Sequence, residues 1–115
     1  MPYGEPNYSD ELLDLVPDRE LMRRFRNSIG PQLAAIRKSI GMTQDQLAAK
    51  LQLAGLESID RVGVVKIESQ IRSVFDFEIQ VIAEVLKVET SELFPDFHIT
   101  KKNLPELRRG LRGKR

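Results

Sequence analysis

Apolar residues recur at helical spacing through the middle of the chain. Ile29, Leu33, Ile36 and Ile40 fall three or four positions apart, the period that turns one helix face toward a core. Pro31 lies in the first turn, where its missing N–H is tolerated, and Gly41 supplies a C-terminal stop. Thr43 then opens a second helix as a capping box with Gln46, its hydroxyl available to the orphan amides of the first turn. Leu47, Ala48 and Leu51 form the buried stripe of that helix, and the small Ala48 lets another helix cross closely. Gly55 ends it. Asp60 caps a third helix with Val64 and Ile67 facing inward. A fourth opens at Ser73 or Asp76 and turns Ile79, Ile82, Ala83 and Leu86 to the core. Thr90 caps a last turn, "TSELF", stopped at Pro95. No segment alternates with a period of two over the length of a strand, so the spacing predicts an all-α fold.

The flanks are patterned differently. The first nine residues, "MPYGEPNYS", are rich in proline, glycine and polar groups, which predicts no regular structure. Leu12, Leu13, Leu15 and Val16 fit one short amphipathic turn before Pro17. Asp18 then opens a helix through "DRELMRRFRNS", with Leu21, Met22 and Phe25 on one face and Arg23, Arg24 and Arg26 largely on the other. At the other end, "KKNLPELRRGLRGKR" reads as a basic tail, flexible beyond Pro105. A length of 115 residues suits one domain with a modest core. The expected organisation is an N-terminal extension over 1–27, a helical domain over 28–95 and a C-terminal basic tail over 96–115.

Composition narrows the chemistry. With 41% apolar and 30% charged residues the chain has the balance of a globular protein. Cysteine is absent and His98 is the one histidine, so no disulfide forms, and neither a zinc site nor a cysteine or histidine pair for nucleophilic catalysis is available. "GLRGKR" is too short for a phosphate-binding loop and lacks the strand and helix such a loop joins. The carboxylates are spread over solvent-facing helix positions. We therefore expect no enzyme, no cofactor and no metal. No apolar run approaches the roughly 18 residues of a membrane span, and the acidic N-terminus lacks the basic and apolar regions of a signal peptide; a cytoplasmic location is expected. Net charge is only +1, yet six acids against one base occupy residues 1–20 and seven bases against Glu106 occupy residues 101–115. Attraction for a polyanion must come from local placement or from the tail.

"IGPQLAAIRKSIGMTQDQLAAKLQ", "VVKIESQIRSV" and "IQVIAEVLKVETSELF" together resemble the helix-turn-helix domain of the phage-repressor class, the Cro/C1 or XRE family. The resemblance covers Ile29 to Phe94. It implies a five-helix repressor-like bundle that binds operator DNA as a dimer, represses or otherwise regulates transcription, and inserts its third helix into the major groove. Residue by residue, it places Gln44 on a phosphate and pairs Arg37 with Glu68 as a structural link between helices one and three. It turns Arg61, Val62 and Val65 to the base edges with Lys66 at their margin, and sets Gln70 and Arg72 against the DNA backbone, with Lys38 as a further backbone contact.

Two departures from the family's pattern matter. Gln52 stands where a glycine is usual, and the interval to Val64 is about six residues longer than in the compact form; an extra turn on helix two and a wider loop, "AGLESI", accommodate it, with Asp60 restarting the count. The reading face is also unusually apolar. Gln, Asn and Arg make paired hydrogen bonds to bases, whereas Val62 and Val65 offer only contact to thymine methyls, which leaves Arg61 as the strong hydrogen-bonding reader. Two functions fit: a sequence-specific DNA-binding transcriptional regulator, or a protein-interaction module on the same fold, an antitoxin or anti-regulator, whose valine face and acidic N-terminal extension bind a regulatory protein partner.

Overall fold

A computed structural model describes residues 25–112. The expected N-terminal helix from Asp18 lies outside the described residues except for its last four positions. Described elements are α1 (Gly30–Ser39), α2 (Gln44–Leu53), α3 (Arg61–Glu68), α4 (Asp76–Leu86), a 3-10 turn (Thr90–Leu93), α5 (Phe97–Lys102) and α6 (Leu104–Arg112). The protein is all-α over this span.

The caps explain where the helices begin. Thr43 Oγ1 accepts from the Gln46 amide at 3.0 Å while Gln46 Oε1 accepts from the Thr43 amide at 2.8 Å, which closes the capping box on α2. Asp60 Oδ1 accepts from the Gly63 amide at 2.9 Å and starts α3. In α4 the capping group is not Ser73: Glu78 reaches back from the third helical position to the Phe75 amide at 3.0 Å. The 3-10 turn is closed the same way, by Glu92 on the Glu89 amide at 3.0 Å, so Thr90 is its first residue rather than its cap.

One core joins the elements. Leu33 of α1, Leu47, Ala48 and Leu51 of α2, Val64 and Ile67 of α3, Ile82, Ala83 and Leu86 of α4 and Leu93 of the 3-10 turn are buried together with Ile29 and Ile59. Ile36 and Ile79 are packed against this cluster. Ile40 is not: it follows the end of α1 and is 52% exposed, because the chain leaves helical geometry there and Gly41 turns it with φ +74.

Gly30 sets the distance between α1 and α3. A Cβ there would overlap the carbonyl oxygens of Ile67 and Glu68, so the last turn of α3 rests directly on the first turn of α1. Asn27 bolts the same junction. Its Nδ2 donates to Ile67 O at 3.1 Å and to Arg72 O at 2.8 Å, its Oδ1 accepts from the Gly30 amide at 2.9 Å, and its carbonyl accepts from Gln70 Nε2 at 3.0 Å.

The C-terminal segment corrects an expectation. Residues 104–112 are helical, with Pro105 in the first turn, where proline is tolerated. α6 docks on the segment before α1: the Phe25 amide donates to Glu106 O at 3.0 Å, and Gly110 leaves no room for a Cβ against the Phe25 carbonyl oxygen. Beneath α5 and α6 lies a small cavity of about 130 Å³ lined by residues including Ser28, Gln32, Gln70, Thr100 and Asn103.

Candidate nucleic-acid interface

α2 and α3 pack against each other through Leu47, Ala48, Leu51, Val64 and Ile67, all in one buried cluster. This leaves the opposite side of α3 outward. Arg61 stands at its first position with its side chain 63% exposed. Val62 is 55% exposed and Lys66 is exposed, whereas Val65 is half-buried. The two valines therefore do not contribute equally. Lys38 on α1 is exposed beside a depression lined by Arg37, Gly41, Met42, Thr43, Gln44 and Glu68.

The floor of that depression is an ion pair. Arg37 Nε donates to Glu68 Oε2 at 2.6 Å and Nη2 donates to Oε1 at 3.0 Å, both side chains being buried. Arg37 Nη1 donates to Met42 O at 2.7 Å, and Gln44 Nε2 donates to Glu68 Oε1 at 3.0 Å. A two-pronged guanidinium contact fixes orientation as well as distance. It ties the C-terminal end of α1 and the start of α2 to the C-terminal end of α3. Gln44 is half-buried on this pair.

Two of the residues placed against the DNA backbone are engaged inside the fold. Gln70 is only 3% exposed; its amide group is spent on Asn27 O, its N–H on Ile67 O at 3.0 Å, and its carbonyl on the Arg26 amide at 2.8 Å. The expectation of Gln70 as a backbone contact is therefore corrected: with φ at +66 it turns the chain out of α3 and its side chain points into the protein. Arg72 grips Glu78 with both terminal nitrogens at 3.1 and 3.2 Å and donates to Ser73 O at 3.0 Å. Its first task is to fix the loop before α4. Burial alone would push the Glu78 carboxyl up, but the Arg72 hydrogen bonds and charge, with the Phe75 amide, hold it below the usual glutamate range.

The long interval between α2 and α3 is tied down at several points. Gly55 turns the chain with φ +112, the Leu56 amide donates to Leu51 O at 2.9 Å, and the Ile59 amide donates to Leu56 O at 3.1 Å. Ile59 is fully buried, and Gln52 Nε2 donates to its carbonyl at 3.2 Å. Gln52, the residue that stands in place of the usual glycine, thus holds the loop it makes possible. Sequence reasoning missed Ile59 and Asn27; the first follows a polar run without helical period, and the second is a hub whose partners are up to 45 positions away.

No family model matches the sequence, and no curated protein matches it. Among solved structures the chain is similar to the restriction-modification controller protein C.AhdI from Aeromonas hydrophila, known from a high-resolution crystal structure, with 35% identity over 57% of this chain and 87% of that one and a TM-score of 0.49. The chain belongs to the Cro/C1 helix-turn-helix family. Membership rests on shared sequence along nearly all of that protein's length, not on the superposition. As a member of this family, the protein has α2 and α3 as its helix-turn-helix pair, with the eight-residue α3 in the place of the second helix. No helix among the described residues is long and apolar enough to cross a membrane.

Proposed function

We propose that the protein is a DNA-binding transcriptional regulator that inserts α3 into the major groove and reads a guanine with Arg61. The observation that carries this reading is the outward face of α3, where Arg61, Val62 and Lys66 are exposed while Val64, Ile67 and Glu68 anchor the opposite side. An eight-residue helix held this rigidly delivers its N-terminal side chains to base edges, as the second helix of helix-turn-helix proteins does. C.AhdI is a restriction-modification controller protein, and a regulator of the same class is the natural reading for this chain. Lys38 supplies a backbone contact, and Gln44 reaches a phosphate by leaving or sharing Glu68. Residues 28–95 form the DNA-binding unit. Val62 packs on a thymine methyl, with Val65 a smaller contributor because it is half-buried.

A short reading surface gives limited specificity, so two copies bind half-sites about one helical turn, roughly 34 Å, apart. Titration of a selected duplex should show Arg61→Ala losing about 1–3 kcal/mol and relaxing the choice of base at one position, with Val65→Ala losing less. An unaltered base preference in Arg61→Ala would end this reading. A second reading keeps its place because Val62 and Leu53 are both exposed apolar residues, with the exposed acids Glu57 and Asp60 between them in sequence. Under it the same face binds a protein, and Val62→Ala, not Arg61→Ala, weakens capture of that partner.

A further inference from the structure

The starts of α2 and α3 place two opposite charges side by side on the outer surface. Arg61 Nε lies 3.6 Å from Asp45 Oδ1, and both side chains are mostly exposed. An exposed pair of this length contributes little to folding. Asp45 is not needed as a cap either, since Thr43 and Gln46 cap α2 and Asp60 caps α3. An acid at this place also opposes phosphates, because the first helix of the motif is the one that crosses the DNA backbone. Its consequence is therefore electrostatic.

We propose that Asp45 is a specificity-determining residue that neutralises Arg61 toward phosphates and orients it toward a base edge. The inference rests on the reading of α3 as the helix that enters the groove. A lone arginine gains from any phosphate it meets, and that gain, driven by counterion release, carries no sequence information. With a carboxylate beside it, the local charge is close to zero and the sequence-independent gain falls away. The gain from a guanine survives, because it depends on paired hydrogen bonds. The guanidinium presents five N–H groups in a fixed fork. Asp45 approaches Nε at 3.6 Å, the side of the fork away from the two terminal nitrogens that O6 and N7 of guanine would take. The planar fork is pre-organised for such paired acceptors, so a nearby carboxylate that biases its approach favours the base edge over a phosphate.

The test is a titration of the full 115-residue chain, wild type, Asp45→Asn and Asp45→Glu, against a selected duplex and an unselected one over a range of salt. All three should melt at similar temperatures. Asp45→Asn should bind the unselected duplex severalfold more tightly, with a salt exponent steeper by about one counterion. Its ratio of selected to unselected affinity should fall, and its base preference at the Arg61 position should flatten. Asp45→Glu, which keeps the charge, should retain the wild-type salt exponent. An Asp45→Asn protein with the wild-type ratio and exponent overturns the inference while leaving the reading of α3 intact. A wild type that prefers no selected duplex removes both.

Discussion

Glu68→Ala is the substitution whose effect the fold specifies most fully. Glu68 accepts two hydrogen bonds from Arg37 and one from Gln44, at 2.6, 3.0 and 3.0 Å, in a buried site. Its removal leaves the Arg37 guanidinium buried with only the Met42 carbonyl to satisfy it. Breaking one side of a buried pair costs about 3–5 kcal/mol. For a domain of this size each kcal/mol moves the melting midpoint by about 4–8 °C, so the midpoint should fall by at least about 12 °C. Glu84→Ala, on the exposed side of α4, serves as control and should stay within about 0.5 kcal/mol of wild type. A further arm separates charge burial from simple loss of contacts: Arg37→Met combined with Glu68→Leu removes both charges together and should recover most of the loss. Thermal and urea unfolding without DNA measure all three. Equal midpoints for Glu68→Ala and Glu84→Ala would refute the argument, as would a double variant no more stable than Glu68→Ala.

Three further outcomes follow from other contacts. Asn27→Ala strands the Arg72 carbonyl and the Gly30 amide and takes one of two donors from the Ile67 carbonyl, which keeps the Gln70 amide; this should cost at least about 2 kcal/mol in urea unfolding, and a loss under half of that would show that the junction of α1 and α3 stands without the clamp. Gly110→Ala improves intrinsic helix propensity by about 1 kcal/mol yet drives a methyl into the Phe25 carbonyl. Hydrogen exchange should therefore show α6 and the Phe25 amide losing protection, and a gain in protection would mean that α6 does not dock there. The Glu78 carboxyl is held below its ordinary value in the folded state, so its contribution is complete above the unfolded glutamate value and is lost as pH falls through the folded one. As pH falls below the unfolded glutamate value, the stability of Glu78→Gln should accordingly fall less steeply than that of wild type; parallel profiles would remove Arg72–Glu78 from the acid response.

The fold was legible where physics is local. Caps at Thr43 and Asp60, the stripe of Leu47, Ala48 and Leu51, and the inward faces of α3 and α4 follow from spacing of three or four and from side chains acting on their own helix. What depends on distant partners was not legible. Asn27 and Gln70 are polar residues whose burial is set by the end of α3 meeting the segment before α1, and nothing in their local sequence marks them as interior. Ile59 is buried because a loop folds back, not because a helix turns. The helical C-terminus was obscured by Pro105 and a high density of arginine, which read as a tail until the contact between Phe25 and Glu106 is seen. On the outward face of α3, charge type was legible and geometry was not. Val62 and Val65 look equivalent in sequence, yet the axis of α3 leaves one exposed and the other half-buried, and the neighbourhood of Arg61 and Asp45 exists only once α2 and α3 are packed.

Whether α3 reads DNA is decided most directly by selection of the full chain against a pool of random duplexes at physiological salt, followed by the ratio of affinities for the selected and unselected sequences. If α3 enters the groove, the recovered site carries a guanine in each of two half-sites about one helical turn apart and is bound at least about a thousandfold more tightly than bulk DNA. A pool that yields no enriched sequence, or an enriched one bound no more tightly than bulk DNA, contradicts it.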